Sequence, residues 1–301
     1  MKIVPVAFAV VVVFQAVCSA DSLEQSFAIY GRLIITQFVT APFPHASRTN
    51  GHTYKNVHYP ADKHYSDGTV ALFVPKHFRE TNPVDFVIHF HGWGNTVAGT
   101  LEQFKLIEQL TASSRNAVLV IPEGPHDAPD SSGGKLEDPG GFARFMDETV
   151  ATLEQRGVFK QKDWLPGGII LSGHSGGYRV MSAIVDRGGV TEKVKEVWLF
   201  DALYAETDKF LAWSDRKQGR LLNIYTDHGG TKDDSERMME RLKTRGTGFL
   251  AAEDFAVSGA QLKTNALVFL HTDLQHNDVV AKRKTFQQFL ETSFLDHSGQ
   301  R

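Results

Sequence analysis

Residues 168–177 read Gly-Ile-Ile-Leu-Ser-Gly-His-Ser-Gly-Gly, an apolar run that passes directly into a glycine-rich turn. The apolar half is short and contains β-branched residues, which predicts a buried strand. The second half places Ser175 between Gly173 and Gly177, and a helical pattern begins near Tyr178. A serine spaced in this way between a strand and a helix is typical of a tight turn that holds the hydroxyl above the sheet edge.

Further apolar runs alternate with helical patterns on both sides of this junction. They predict strands at residues 33–39, 69–74, 86–91, 117–122, 197–200, 221–225 and 266–270. Helices are predicted near residues 101–110, at 141–156 and 235–244, and from about 279. The later strands are continuous apolar runs, which indicates burial on both faces. The alternation predicts an α/β protein with a mostly parallel central sheet flanked by helices.

In such a sheet, sites form beyond the carboxyl ends of the strands, so polar residues at those ends are the candidates for chemistry. Ser175 is the candidate nucleophile, and the backbone N–H of Gly176 could face a developing oxyanion. The run His91-Gly92-Trp93-Gly94 follows the third predicted strand. Its glycines would let the chain turn so that the Trp93 amide supplies a second oxyanion donor.

A serine hydroxyl is a poor nucleophile near neutral pH and needs a base within hydrogen-bond reach. His276 follows the last predicted strand in a loop that could carry its imidazole over Ser175, and it is the candidate base. Two aspartates compete to orient it. Asp201 interrupts an apolar run, where an unpaired charge would be costly, and this local argument favours it. Asp227 follows the seventh predicted strand beside two glycines and remains the alternative acid.

The chain order is an oxyanion loop, Ser175, an acid and then His276. This order, with motifs at three strand ends, resembles the α/β-hydrolase superfamily from about Leu33 to the C-terminus. The resemblance implies a Ser-His-acid triad whose acid usually holds the position of Asp227, although some members resemble the arrangement with Asp201. It also implies hydrolysis through an acyl-enzyme without a cofactor. A carboxylic ester, small or polymeric, is the substrate expected from this analogy of fold.

Three alternatives stay open on the sequence alone. A peptidase or amidase would use the same triad, and a non-catalytic binding protein would keep the fold without turnover. His89 and His91 lie on one face of their predicted strand, so a metal-dependent hydrolase is a further alternative. No third ligand stands at metal-site spacing from this pair, and we expect no metal.

The first twenty residues have the layout of a secretory signal peptide. Lys2 precedes an apolar run over Ile3–Phe14, and small residues follow that predict cleavage after Ala20. The run is short for a bilayer span, and an uncleaved N-terminal anchor is the alternative. We expect a secreted or periplasmic protein in which residues 21–301 form one domain, with no stable membrane insertion after cleavage.

Composition and charge are those of a globular domain. Hydrophobic residues make up 42% of the 301 residues, the share expected of a folded protein. The formal charge is −3, and removing the one positive charge of Lys2 with the signal peptide makes it −4. Such a weak charge gives no reason to expect nucleic acid as a partner. Cys18 is the sole cysteine and would leave with the signal peptide, so stability would rest on the apolar core.

Overall fold

The computed structural model describes residues 21–160, 163–216 and 219–299. The predicted signal peptide at residues 1–20 lies outside the described residues. The strands are β1 (Gly31–Gln37), β2 (His52–Tyr54), β3 (Val57–Tyr59), β4 (Thr69–Pro75), β5 (Val84–Phe90), β6 (Val118–Pro122), β7 (Pro166–His174), β8 (Val194–Phe200), β9 (Arg220–Thr226), β10 (Leu250–Glu253) and β11 (Leu267–Thr272). The α-helices are α1 (Ala61–His64), α2 (Val97–Phe104), α3 (Leu106–Ser113), α4 (Gly141–Gln155), α5 (Tyr178–Arg187), α6 (Thr207–Asp215), α7 (Lys232–Thr244), α8 (Gly259–Thr264) and α9 (Thr285–Thr292).

A central sheet carries the strands in the order β1-β4-β6-β5-β7-β8-β9-β11-β10. Strand β4 pairs antiparallel with β1 on one side and with β6 on the other. From β6 to β10 all neighbouring strands are parallel. Strands β2 and β3 form a small antiparallel hairpin of their own. The predicted fold class, a mostly parallel central sheet flanked by helices, is confirmed.

Two apolar layers cover the two faces of this sheet, and alternate residues of one strand contribute to each. Phe86 and Ile88 of β5 lie in one layer with Phe145 of α4, while Val87 lies in the other with Leu110 of α3. All five side chains are fully buried. Each such side chain contributes about 1.5–3 kcal/mol through burial. Burial on both faces is the reason that the strands read as continuous apolar runs.

The structure differs from the sequence-based prediction in several elements. The helix predicted near 101–110 is two helices, because Lys105 adopts a left-handed conformation with φ 52° between α2 and α3. The helical run expected from about 279 consists of a 3-10 turn at His276–Asp278 and then α9, which begins only at Thr285. Strands β2, β3 and β10 were not predicted, because they are short and none of their residues is fully buried.

Register brings the ends of the central strands together. His174, the last residue of β7, pairs with Phe200, the last residue of β8, and Phe200 pairs with Ile224 of β9. Ser175 and Asp201 therefore follow matched positions on adjacent parallel strands. Over residues 21–160, 163–216 and 219–299, no helix combines the length and apolar character that a bilayer span requires.

Candidate active site

Ser175 stands at the turn between β7 and α5. Its φ is 52°, in the left-handed region that L-residues other than glycine rarely adopt. This conformation costs about 1–2 kcal/mol and persists because β7 and α5 fix both sides of the turn. The loop after β5 packs directly on it. A Cβ at Gly92 would lie 2.6 Å from the Ser175 Cβ, so only glycine allows this approach.

His276 and Asp201 form the central polar contact of the site. Nδ1 of His276 donates to Oδ2 of Asp201 at 2.5 Å. The Asp201 side chain is fully buried, while that of His276 is 26% exposed. This contact fixes the tautomer of the imidazole, since Nδ1 carries the proton and Nε2 keeps its lone pair.

Several groups hold the Asp201 carboxylate in place. Its own φ is 46°, and its N–H donates to the carbonyl of Ile224 at 2.7 Å. The hydroxyl of Thr231 donates to Oδ1, so both carboxylate oxygens have a donor. A Cβ at Gly229 would lie 1.5 Å from Oδ2, so the loop after β9 can pass the carboxylate only as glycine.

Asp227, the alternative acid, lies apart from His276. Its carboxylate accepts from Nζ of Lys232 at 2.7 Å and lies 3.2 Å from Nε2 of His271. Its side chain is 44% exposed. Lys232 lowers the pKa of Asp227 most strongly, with a further contribution from His271. The structure thus brings Asp201, and not Asp227, to the imidazole.

His174 and Tyr204 are the aromatic neighbours of His276 on the side of Ser175. The ring of His174 lies 4.5 Å from that of His276, and its Nε2 donates to the His276 carbonyl at 2.9 Å. The Tyr204 hydroxyl donates to the carbonyl of Gly229, and the Tyr204 ring lies 6.4 Å from the His276 ring. Burial raises the pKa of Tyr204 to about 12, and the adjacent Ser175 hydroxyl opposes that rise.

Within the described part of the chain, Ser175 Oγ and His276 Nε2 are not joined by a direct hydrogen bond. Such bonds are commonly long before substrate binds.

The loop after β5 carries the predicted oxyanion donor. Among the described residues, none accepts a hydrogen bond from the Trp93 N–H, whereas the next amide, of Gly94, donates to Ala128 at 3.1 Å. The Trp93 indole donates to Ser131 Oγ at 2.7 Å. A Cβ at Gly176 would lie 2.8 Å from the Trp93 ring. The two predicted oxyanion residues, Trp93 and Gly176, are therefore in contact.

His91 and His89 have separate partners. Nδ1 of His91 donates to the carbonyl of Gly92 at 2.8 Å, and its Nε2 accepts from the Gly124 amide at 2.9 Å. Nδ1 of His89 lies 2.9 Å from the Ser172 hydroxyl. Burial lowers the pKa of His89 well below its ordinary value. These two histidines do not converge as a metal pair, because each imidazole is held by its own neighbours.

An open groove of about 450 Å³ lies beside Trp93 and is lined by Tyr59, His64, Trp93, Gly94, Asp127 and Pro129. Tyr54 of β2 packs edge-on against the Trp93 ring at 5.1 Å. Asp127 and Pro129 belong to the long loop after β6. The β2–β3 hairpin, which was not predicted, supplies the opposite side.

Two residues that hold the site were missed by the sequence reasoning, Thr231 and Gly229. Thr231 precedes α7 and has no motif around it that links it to Asp201. Gly229 was considered only as one of the two glycines beside Asp227. The pair Gly229-Gly230 was the available signal, because adjacent glycines after a buried strand indicate close approach of backbone to another group.

Comparison with protein-family models and with curated proteins gives no match. Solved structures do match. A fluorophosphonate-binding serine hydrolase of Staphylococcus aureus covers 88% of this chain and 99% of its own, at 10% identity and TM-score 0.52. A feruloyl esterase module from Clostridium thermocellum, complexed with sinapinate, covers 90% of each chain at 10% identity and TM-score 0.54. A ferulic acid esterase covers 87% of this chain and 98% of its own at 12% identity and TM-score 0.55. At such low sequence identity, this structural similarity shows the fold alone: the chain is an α/β-hydrolase-fold protein.

Proposed function

We propose that the protein is a serine hydrolase that cleaves carboxylic esters, with Ser175 as nucleophile, His276 as base and Asp201 as the orienting acid. The observation that carries the proposal is the contact between buried Asp201 and Nδ1 of His276, at the strand edge that also bears Ser175. A base oriented by a third group beside a strained serine is the usual arrangement of an activated nucleophile.

In this mechanism Ser175 Oγ attacks the ester carbonyl and His276 Nε2 takes its proton. The amides of Gly176 and Trp93 stabilise the oxyanion, and Asp201 stabilises the imidazolium that forms. His276 then gives the proton to the departing alkoxide. Water, activated by the same imidazole, attacks the acyl-enzyme and releases the acid and free Ser175. No step requires a cofactor.

The names of the solved structures that share the fold support an ester as substrate, since two of the three are esterases of ferulate-type acids. The groove beside Trp93 is open, includes the rings of Tyr59 and Trp93 in its lining, and is large enough for a ring-containing acyl or leaving group. Either a small ester or the ester side group of a polymer would fit this proposal. We also propose that the protein is secreted, with cleavage after Ala20. N-terminal sequencing of the exported protein tests this.

Covalent labelling tests the nucleophile. The purified protein is treated with a fluorophosphonate probe, with Ser175→Ala as the control, and the modified peptide is identified by mass spectrometry. We expect labelling at Ser175 that is absent from the folded variant. A folded wild-type protein that does not label would instead favour the non-catalytic binding protein.

A substrate panel tests the reaction class. p-Nitrophenyl acetate, methyl ferulate and matched p-nitroanilides are compared at one pH, before and after treatment with EDTA. We expect ester turnover that survives the chelator. Faster cleavage of the anilides would favour a peptidase or amidase, and loss of turnover in EDTA would favour a metal-dependent hydrolase.

A further inference from the structure

A second cluster of ionisable side chains lies at the same edge of the sheet but outside the Ser175 site. It consists of Asp67, Glu123 and His126, whose ligand atoms all lie within 4.8 Å of one another. Glu123 directly follows β6, and Asp67 precedes β4 by two residues. These segments meet because β4 runs antiparallel to β6, and the Glu123 amide donates to the Thr69 carbonyl at 2.8 Å.

Other groups hold the two carboxylates and the backbone of His126. Oδ1 of Asp67 accepts from the amide and the hydroxyl of Thr69 at 2.8 and 2.6 Å. Oε2 of Glu123 accepts from the Val97 amide at 2.9 Å. The backbone of His126 is paired with His64, whose carbonyl accepts from the His126 amide at 2.9 Å and whose Nδ1 donates back to the His126 carbonyl at 2.7 Å. Ligands of bound metals are typically oriented by outer partners of this kind.

Nδ1 of His126, Oδ2 of Asp67 and Oε1 of Glu123 lie close together at the centre of the cluster, and Oε1 also lies 3.1 Å from Nε2 of His91. Nδ1 of His126 lies 3.6 Å from Oδ2 of Asp67 and 3.7 Å from Oε1 of Glu123. Both separations are too long for a hydrogen bond. Nδ1 is buried, and no group among the described residues hydrogen-bonds to it. Burying a ring nitrogen without a hydrogen-bond partner is unfavourable in free energy. This geometry therefore favours a bound ion or proton between the three atoms.

These spacings suit a metal ion. Bonds of about 2.1 Å in tetrahedral geometry place neighbouring ligand atoms about 3.4 Å apart. One imidazole and two carboxylates are ligands that zinc and similar divalent transition metals accept. The cluster is also accessible, since the side chains of His126 and Asp67 are 39% and 30% exposed.

We propose that Asp67, Glu123 and His126 bind a divalent transition metal ion of the zinc type, with the fourth position open to water. Because Glu123 also contacts His91 and the Val97 amide, the ion would brace the loop after β5, which carries Trp93. The rival occupant is a proton on His126, attracted by the same two carboxylates. The ion and the proton compete, so metal binding should weaken as the pH falls.

Calorimetric titration of the purified full-length chain with ZnCl₂, after EDTA and dialysis, tests the proposal. We expect one saturable site per chain and a Tm rise of about 5 °C at a hundredfold excess over Kd. Asp67→Asn and His126→Gln should each weaken binding at least about tenfold. His58→Gln, which removes an exposed histidine of the β2–β3 hairpin, is the matched control and should bind as wild type does.

Co²⁺ provides a second readout that does not depend on the stability of one variant. Its visible absorption bands should appear on binding to wild type and vanish in His126→Gln, whose folding is checked by circular dichroism. Absence of saturable binding, equal binding by wild type and both ligand variants, or tighter binding of Ca²⁺ than of Zn²⁺ would overturn the proposal. The same titration in Ser175→Ala should be unchanged, which separates this site from the proposed hydrolysis.

Discussion

The carboxylate of Asp201 and the imidazole of His276 are in direct contact, with Oδ2 2.5 Å from Nδ1. The acid is fully buried and follows β8, one strand before the position that Asp227 occupies after β9. A buried carboxylate in this position stabilises the imidazolium that would form when Ser175 loses its proton. The contact therefore gives the clearest prediction about activity.

Asp201→Asn should lower kcat for an ester by about 10³–10⁴-fold, because asparagine favours the wrong tautomer of His276 while keeping the shape of the side chain. Steady-state kinetics on p-nitrophenyl acetate measures this. Asp227→Asn is the matched control. It removes exposed ion pairs with Lys232 and His271, and its kcat should stay within about twofold of wild type. A comparable loss in both variants would contradict the assignment of Asp201.

Gly229→Ala should lower kcat about 10²-fold although Gly229 is not proposed to touch substrate. The new Cβ would lie 1.5 Å from Oδ2 of Asp201, so the carboxylate or the loop after β9 must shift. A displacement of about 1 Å at such a site costs about 10²-fold in rate. Gly248→Ala is the control, since its Cβ would meet no atom within 4 Å. Retained kcat in Gly229→Ala would show that the carboxylate position is not critical.

Some of this architecture could be predicted from sequence because it depends on local pattern. The run Ile169-Ile170-Leu171 identifies β7, since both faces of that strand are buried. The left-handed conformation of Lys105 could not be predicted, because lysine has no local preference for it and tertiary packing decides it.

The choice between Asp201 and Asp227 was limited in the same way, because tertiary packing decides it. Both follow buried strands, and their surroundings differ only after the chain has folded. Thr231, thirty residues after Asp201, then donates to one acid, and Lys232 pairs with the other. Pattern along the chain shows which residues end strands, but the loops decide which of them reach His276.

The conformation of Ser175 predicts an effect on stability. Ser175→Gly and Ser175→Ala both remove the hydroxyl, but only glycine adopts a φ of 52° without strain. After allowing for the greater freedom of glycine in the unfolded chain, we expect Ser175→Gly to be about 0.5–1 kcal/mol more stable than Ser175→Ala. Urea unfolding of the two variants measures the difference. A more stable alanine variant would argue against strain at the turn.

Trp93→Phe separates the backbone from the side chain at the proposed oxyanion site. Phenylalanine keeps the amide and an aromatic ring next to Tyr54 but loses the indole donor to Ser131. We expect kcat to stay within about twofold, with KM for aromatic esters raised a few-fold, because the side chain lines the groove. A fall in kcat of about 10²–10³-fold, the size expected for a lost oxyanion donor, would contradict a purely backbone role in stabilisation.

Burial of His174 predicts loss of stability in acid. Its pKa is lowered to about 3, first by desolvation and then by the neighbouring His276 and His91. In the unfolded chain it titrates near pH 6.5, so between about pH 6.5 and 3 the unfolded state binds the extra proton. The free energy of unfolding is therefore not reduced by His174 above this pH window, and it falls as the pH drops through the window.

At pH 5 the His174 imidazole is protonated in the unfolded chain and still neutral in the folded protein. This difference should lower the free energy of unfolding by about 2 kcal/mol relative to pH 7. His89, whose pKa is also lowered by burial, should lower the free energy of unfolding further in acid. We therefore expect the free energy of unfolding of His174→Asn to fall by about 2 kcal/mol less than that of wild type between pH 7 and pH 5. Comparing each protein with itself cancels the general destabilisation that the substitution causes. Equal losses in the two proteins would mean that His174 is protonated in the folded state, which its full burial against His276 and Phe104 opposes.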